Sequence, residues 1–313
     1  MSTAHPPRPF DVVALTALLA GRSPNEAVNW LLPPGAVATQ ELMERFVGLH
    51  LPLARTRSAI ALVTEKARIR ALAAGRSRAT NAGWEVDTLF APEPAAAGDA
   101  LDCLAGLAAS KGARRIFLRL SMESRVLEAA RTAGFIPYAT ENLMMSPAAA
   151  APGDRPQLQL RVASGADAHG LFRLYNRAVP QNVRAVEALT LEEWAATQNP
   201  IGARSPAQFV AEADGEIVAW VRSAQRGSAA TFDALVDPAA AGLVADLASA
   251  VSALLRGGAV RAFVPSYMET FAMELERRGF ERGAEFVLLA RQLARPIGEL
   301  SRVKVAEEAA WIT

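Results

Sequence analysis

Apolar positions along the chain switch between a period of two and a period near 3.6, and the switches divide it into strands and helices. The pattern is clearest in the second half. Residues 158–162 alternate as a strand, and 166–179 place Leu171, Leu174, Tyr175 and Val179 on one helical face. Residues 191–197 predict a second short helix. Asp214-Gly215 lies between apolar runs at 208–212 and 216–223, the signature of a tight hairpin. A strand at 230–236, an amphipathic helix at 242–255 and a strand at 260–264 follow. A helix at 269–278, stopped by Gly279, and a strand at 285–292 complete the order β-α-α-β-β-β-α-β-α-β.

The first half repeats the later part of this order. Strands are predicted at 58–64, 68–74 and 84–90, a helix at 99–110, a strand at 115–120, a helix at 125–132 and a strand at 138–145. Asp87-Thr-Leu-Phe-Ala-Pro92 parallels Asp233-Ala-Leu-Val-Asp-Pro238, offset by 146 positions. Ser121-Met-Glu and Ser266-Tyr-Met-Glu each precede a helix that ends in Gly-Phe, at Gly134-Phe135 and Gly279-Phe280. From Asp to the final Phe is 48 residues in one copy and 47 in the other. Shared order and spacing predict an internal duplication. The proline-rich run Ser146-Pro-Ala-Ala-Ala-Ala-Pro-Gly-Asp-Arg-Pro156 can continue neither helix nor sheet and separates the copies. Residues 1–147 and 157–294 are expected as two domains, with 295–313 as a tail in which Trp311 and Ile312 could dock elsewhere.

Composition narrows the function classes. The 313 residues carry 33 Lys+Arg against 32 Asp+Glu, a net charge of +1. The first 150 residues hold 16 basic and 13 acidic side chains and the rest 17 and 19, so neither half has the basic surplus of a nucleic-acid binder. One cysteine, Cys103, excludes a disulfide framework, and His5, His50 and His169 have no metal-ligand spacing. Thus no metal is expected. No apolar run reaches the roughly 20 residues of a membrane span, and the polar, proline-rich start is unlike a signal peptide. The expected setting is cytoplasmic.

A strand ending in proline, a small-residue loop, a helix, a strand and a helix closed by Gly-Phe resembles the GCN5-related N-acetyltransferase (GNAT) superfamily. The resemblance covers residues 158–293 well and 40–146 more loosely, with no evident first strand in 8–40. It implies a mixed α/β (α+β) fold with two tandem GNAT-like acyl-CoA N-acyltransferase domains, the first a degenerate copy. In that family, acetyl-CoA sets its pyrophosphate at the start of the helix after the fourth strand, on an Arg/Gln-x-x-Gly-x-Gly/Ala loop. The fourth and fifth strands splay to admit the pantetheine arm. A strand carboxylate removes the amine proton, and a tyrosine on the next helix protonates the thiolate. Carried onto this chain, cofactor contacts fall at Ala97, Gly98 and Ala100 in the first half and at Val236 and Gly242 in the second. The catalytic carboxylates fall at Asp87 and Asp233, whose other reading is a strand-end Asp that caps a neighbouring backbone or meets an arginine. The chain departs from the pattern where Ala95 replaces the loop's Arg/Gln, Asp99 puts a like charge at the helix start, and Ala130 and Leu275 stand at the tyrosine positions.

The implied activity is transfer of an acetyl group from acetyl-CoA to an amine of a small molecule or peptide. The eroded loop leaves a second reading, a catalytically inactive scaffold that senses CoA or binds a protein. A third, transfer from an aminoacyl-tRNA, lacks a basic surface. No nucleic-acid or membrane partner is expected, and a homodimer remains open. Arg68, Arg70, Arg76 and Arg78 could hold an anionic group or form a solvated strand face. Tyr267, just before its helix, is either a candidate acid, if its loop shifts, or a packed or exposed loop side chain; Tyr175 is expected to pack, and Cys103 to act as a small apolar side chain.

Overall fold

The computed structural model describes residues 2–21, 24–50, 57–66, 68–80, 82–146, 158–198, 206–255 and 258–293. The first half comprises β1 (Thr3–His5), α1 (Val12–Ala20), α2 (Thr39–Leu49), β2 (Ser58–Glu65), β3 (Arg68–Ser77) and β4 (Gly83–Phe90). It continues with α3 (Ala97–Ser110), β5 (Arg115–Ser121), α4 (Leu127–Thr132) and β6 (Ile136–Ser146). The second half comprises β7 (Arg161–Val162), α5 (Ala168–Ala178), α6 (Gln181–Glu187), α7 (Leu191–Thr197), β8 (Ala207–Ala213) and β9 (Glu216–Arg226). It ends with β10 (Ala229–Val236), α8 (Val244–Leu254), β11 (Val260–Pro265), α9 (Glu269–Arg277) and β12 (Glu281–Gln292).

Among the described residues the strands form one sheet in the order β1-β2-β3-β4-β5-β12-β6-β11-β10-β9-β8-β7. The halves are joined by an exchange. The last strand of each half, β6 or β12, lies beside the fifth strand of the other. β12 pairs antiparallel with β5, from Phe286 opposite Ser121 to Gln292 opposite Arg115. β6 pairs antiparallel with β11, from Val260 opposite Ser146 to Pro265 opposite Glu141. The two exchanged strands also pair with each other at the centre of the sheet.

Burial explains why the exchange holds. Val287 and Leu289 of β12 pack into the first half's core with Leu101, Leu104 and Ile116, and Met144 of β6 packs into the second half's core with Phe232, Val260 and Leu275. A separate cluster of Leu143, Phe263 and Phe286 closes the seam together with Val28, Trp30 and Leu31. In β2, Ala59, Ala61 and Val63 face α3 and α4, whereas Ile60 and Leu62 face α1 and α2. The strand alternation therefore buries both faces.

The elements differ from the sequence pattern in three places. The strand foreseen at 158–162 shrinks to the two residues of β7, which pair only with β8 at the sheet edge. The first strand of the first half, absent from 8–40 as expected, lies earlier, as the edge strand β1, and helices α1 and α2 follow it. β1 is only three residues long, too short to alternate visibly, and His5 anchors it through Nε2 to Thr64 Oγ1 at 2.9 Å. Helix α6 was also not foreseen; it starts at Pro180 and buries only Val183. Most of the proline-rich separator and the whole tail, including Trp311 and Ile312, lie outside the described residues. Among the described residues no helix is long and apolar enough to cross a membrane.

A fragment of residues 158–293 lacks β6, so β11 loses its antiparallel neighbour and the Met144 contact. It is expected to aggregate on expression, because an exposed hydrophobic edge is a pairing template. Co-expression with residues 1–146 is expected to restore a 1:1 complex. Size-exclusion chromatography and circular dichroism check both outcomes.

Candidate functional site

Two places in the sheet splay open. β4 and β5 run parallel only from Gly83/Arg115 to Glu85/Phe117, and β10 and β11 only from Ala230/Val260 to Phe232/Ala262. Beyond those pairs the strands diverge, and backbone groups on their facing edges lose their ladder partners.

In the first half the chain itself fills the gap. Glu26 N donates to Leu89 O of β4 at 2.9 Å, and Val28 N donates to Arg119 O of β5 at 2.9 Å. Asn25 completes the bridge, its Nδ2 donating to Asp87 O at 3.0 Å and its Oδ1 accepting from Leu89 N at 2.8 Å. Residues 25–31 thus cross between the diverging strands and bury Ala27, Val28, Trp30 and Leu31. Beyond the gap Trp30 reaches the second half, donating from Nε1 to Asp233 Oδ1 at 2.6 Å. Leu31 O accepts from Arg261 Nη2 at 3.0 Å.

Among the described residues no such segment bridges the second splay. A cavity of about 190 Å³ lies beside it, lined by Asp233, Ala234 and Leu235 of β10, Phe263 and Pro265 of β11, and Tyr267. Trp30, Glu85 and Arg119 of the first half and Tyr138 and Glu141 of the exchanged β6 complete the wall with Tyr175, Glu187, Trp194 and Arg222. Between the diverging strands themselves, a crevice walled by Phe263, Val264, Met268 and Phe271 leaves no room for a water molecule. A smaller cavity adjoins the first, sharing Arg78, Phe117, Glu187 and Thr197, and reaches Arg114 and Arg115.

The cavity holds paired charges. Arg119 contacts Glu141 at 2.9 Å and stacks its guanidinium 4.5 Å from the Phe263 ring. Arg222 binds Asp233, donates to Thr197 O at 2.8 Å and lies over Trp30 and Trp220. Arg78 approaches Glu85 at 3.5 Å and stacks 4.0 Å from Phe117. Burial pushes the Glu141 carboxyl up to about 7; Arg119 opposes this, while the negative charges of Asp233 and Glu187 add to it. Burial also raises Glu187, whose Oε1 accepts from Tyr138 OH at 3.1 Å. Burial first, then the neighbouring carboxylates, holds the Tyr267 phenol well above its ordinary range.

Asp87 and Asp233 occupy matching places with different surroundings. Asp87 is the extra residue of a β-bulge, since Ala74 faces Thr88 and Gly75 faces Val86. The bulge requires glycine at 75, where a Cβ would lie 2.7 Å from Glu85 O. Asp87 is buried under two arginines: Arg45 takes both oxygens at 3.0 and 3.1 Å, and Arg76 Nε donates at 2.7 Å. Arg76 and Arg222 stand 146 residues apart, as do the two aspartates, so this Arg–Asp pair is itself part of the repeat. Asp233 lines the cavity; Asp87 lies outside it.

The remaining expected positions separate similarly. Ala97 and Ala100 are fully buried, and a Cβ on Gly98 would lie 3.3 Å from Ala129 O of α4. Gly242 lies in an exposed turn with nothing within 4 Å of a Cβ, and α8 starts without a side-chain cap. Val236 ends β10, where Asp237 caps the turn through Ala239 N and meets Arg177 at 2.6 Å. Arg70 pairs with Glu65 and Glu93, and Arg76 with Glu41 and Asp87, leaving Arg78 as the cluster's member in the cavity.

Glu141 and Trp30 escaped the sequence reading. The Gly-Phe landmarks align Glu141 with Phe286, so no shared acidic position marked it. It belongs to the first half's sequence yet faces the second half's splay.

No family model matches the chain, and no curated protein does. Solved structures do. A tandem GNAT protein from the clavulanic acid biosynthesis pathway, described as without AcCoA, matches at TM-score 0.54 and 15% identity, over 93% of this chain and 98% of that one. A GCN5-related N-acetyltransferase from Sphaerobacter thermophilus matches at 0.52 and 15%, over 93% and 95%. A functionally unknown conserved protein from Staphylococcus epidermidis matches at 0.51 and 12%, over 76% and 92%. At these identities the shared property is the fold: the chain carries the GNAT fold in tandem.

Asp87→Asn leaves the half-buried Arg45 without its counter-charge and Arg76 with Glu41 alone. It is expected to cost about 3 kcal/mol of stability, read as a lower denaturant midpoint with unchanged slope.

Proposed function

We propose that the protein transfers an acetyl group from acetyl-CoA to an amine, and that the second half's splay carries the reaction. The observation behind this reading is Glu141, a carboxyl that lines a cavity beside diverging strands of a GNAT fold and that burial there pushes up to about 7. A base with a pKa near the working pH is the efficient one. Glu141 takes the proton from the acceptor amine, whose nitrogen attacks the thioester carbonyl. The C–S bond breaks, and Tyr267, kept protonated by burial, gives its proton to the leaving thiolate. Asp233, fixed by Trp30 and Arg222, sustains the negative field that keeps Glu141 basic. Asp87 has a structural role in this reading.

Acetyl-CoA fits the second half better than the first. Residues 25–31 occupy the first splay, and α4 covers the start of α3 at Gly98. The turn at Gly242 is open, and Val236 leads into it. Asp246 in the first turn of α8 opposes an anion there. The crevice between β10 and β11 must widen, and Met268, an unbranched side chain, is the group that yields. The narrowness of this crevice favours the second reading, a scaffold without catalysis.

Titration with acetyl-CoA together with an acetylation assay separates the two. One site per chain, weakened by Gly242→Trp, with acetylated amine formed is expected for the acyltransferase; binding without product is expected for a CoA-sensing scaffold, and no binding heat from folded protein for a protein-binding one. The reactive form of Glu141 is the carboxylate, so kcat/KM is expected to rise with pH through about 7 and level off above it. Glu141→Gln is expected to lower kcat about 100-fold or more and to remove that limb. Tyr267→Phe is expected to lower kcat by a similar factor while leaving the acidic limb in place. A pH–rate series on each variant checks these outcomes.

A further inference from the structure

The cavity contains one carboxylate more than its arginines pair. Arg78, Arg119 and Arg222 engage Glu85, Glu141 and Asp233 respectively. Glu187 has a hydrogen bond from Tyr138 and, among the described residues, no ion pair. On the same wall Tyr175, only 4% exposed, has a hydroxyl with no hydrogen-bond partner. A buried hydroxyl without a partner carries a desolvation cost that a ligand can relieve. Trp194 packs with Tyr175 at a centroid distance of 6.3 Å and also lines the cavity.

An ammonium group is the one ligand that all three can engage together. A carboxylate and a hydroxyl oxygen accept hydrogen bonds, though the hydroxyl can also donate one, and aromatic faces attract a cation. An ammonium group supplies three donors and a positive charge. A carboxylate or phosphate on the ligand would meet the charge of Glu187. Arg78, Arg119 and Arg222 all act on Glu187 through space, but each is already committed to a carboxylate of its own, Glu85, Glu141 and Asp233; Arg114 reaches only the adjoining cavity. Arg115 of the adjoining cavity is engaged with Val186 O at 2.6 Å.

We propose that the acceptor is a small diamine, one nitrogen losing its proton at Glu141 while the other is held as an ammonium by Glu187, the Tyr175 hydroxyl and the ring of Trp194. The proposal rests on the acyl-transfer reading for the first nitrogen only. The second-cation site stands on its own geometry and can be tested without turnover.

Three probes of matched length decide it: 1,4-diaminobutane, butylamine and 4-aminobutanoate, each with acetyl-CoA. The expected kcat/KM for the diamine exceeds that for butylamine by about 30-fold, the worth of one charged hydrogen-bonded contact. Glu187→Gln is expected to reduce that ratio to near one. Tyr175→Phe breaks no existing hydrogen bond, so it provides a variant that folds, and it too is expected to lower the ratio. Equal turnover of the three probes, or a preference for 4-aminobutanoate, overturns the diamine proposal and leaves acyl transfer standing. If no probe is acetylated, titration of 1,4-diaminobutane into the protein alone is decisive. Heat that disappears in Glu187→Gln supports the cation site and counts against acyl transfer, and no heat overturns the proposal.

Discussion

Pairing of β6 with β12 at the centre of the sheet is the interaction on which the other features depend. Each strand belongs by sequence to one half and by its fifth-strand partner to the other. Their apolar side chains complete cores assembled mostly from the opposite half, so neither half closes its sheet alone. The exchange is more than a covalent accident of duplication. It removes two edges that would otherwise present unpaired backbone groups, and it carries Tyr138 and Glu141 to the wall of a cavity that the second half could not furnish from its own residues.

The duplicated halves have diverged around a shared device. In each, an arginine on the preceding strand holds the fourth-strand aspartate. The first copy adds Arg45 and buries the aspartate; the second adds Trp30 and leaves the aspartate on a cavity wall. The same segment, residues 25–31, accounts for both outcomes. Its backbone satisfies the groups freed where β4 and β5 part, and its tryptophan then reaches across the seam. Closure of one splay and construction of the other are therefore mechanically linked.

Electrostatics in the cavity follow from this enclosure. Four carboxylates and three guanidinium groups lie on its wall. In so little water a carboxylate keeps its charge only with a partner at hand. Asp233 has two donors and holds its place. Glu141 has one arginine, opposed by two neighbouring carboxylates, and burial moves it toward neutrality. Glu187 accepts from a phenol and, among the described residues, has no ion pair, and burial raises it too.

Much of the fold was legible because periodicity and turn chemistry are local. Strands β2 to β6 and β8 to β12, with their intervening helices, follow from alternation, from Asp214-Gly215 and from the helix-ending Gly-Phe pairs. The duplication was legible from the spacing of Asp87 and Asp233, and with it the tandem fold. The three-residue β1 was too short to alternate, and α6 buries too narrow a face to show a period. Of the residues on the cavity wall, Asp233 was singled out by its place in the repeat and Tyr267 by its place before a helix, whereas Glu141, Glu187 and Trp30 carried no such mark. A sequence orders residues along one dimension. Which half's splay a residue faces is fixed by long-range pairing of strands, and which splay is filled is fixed by where residues 25–31 find hydrogen-bond partners. Those choices come from satisfying backbone groups and apolar surface far apart in the chain, so only the tertiary structure decided them.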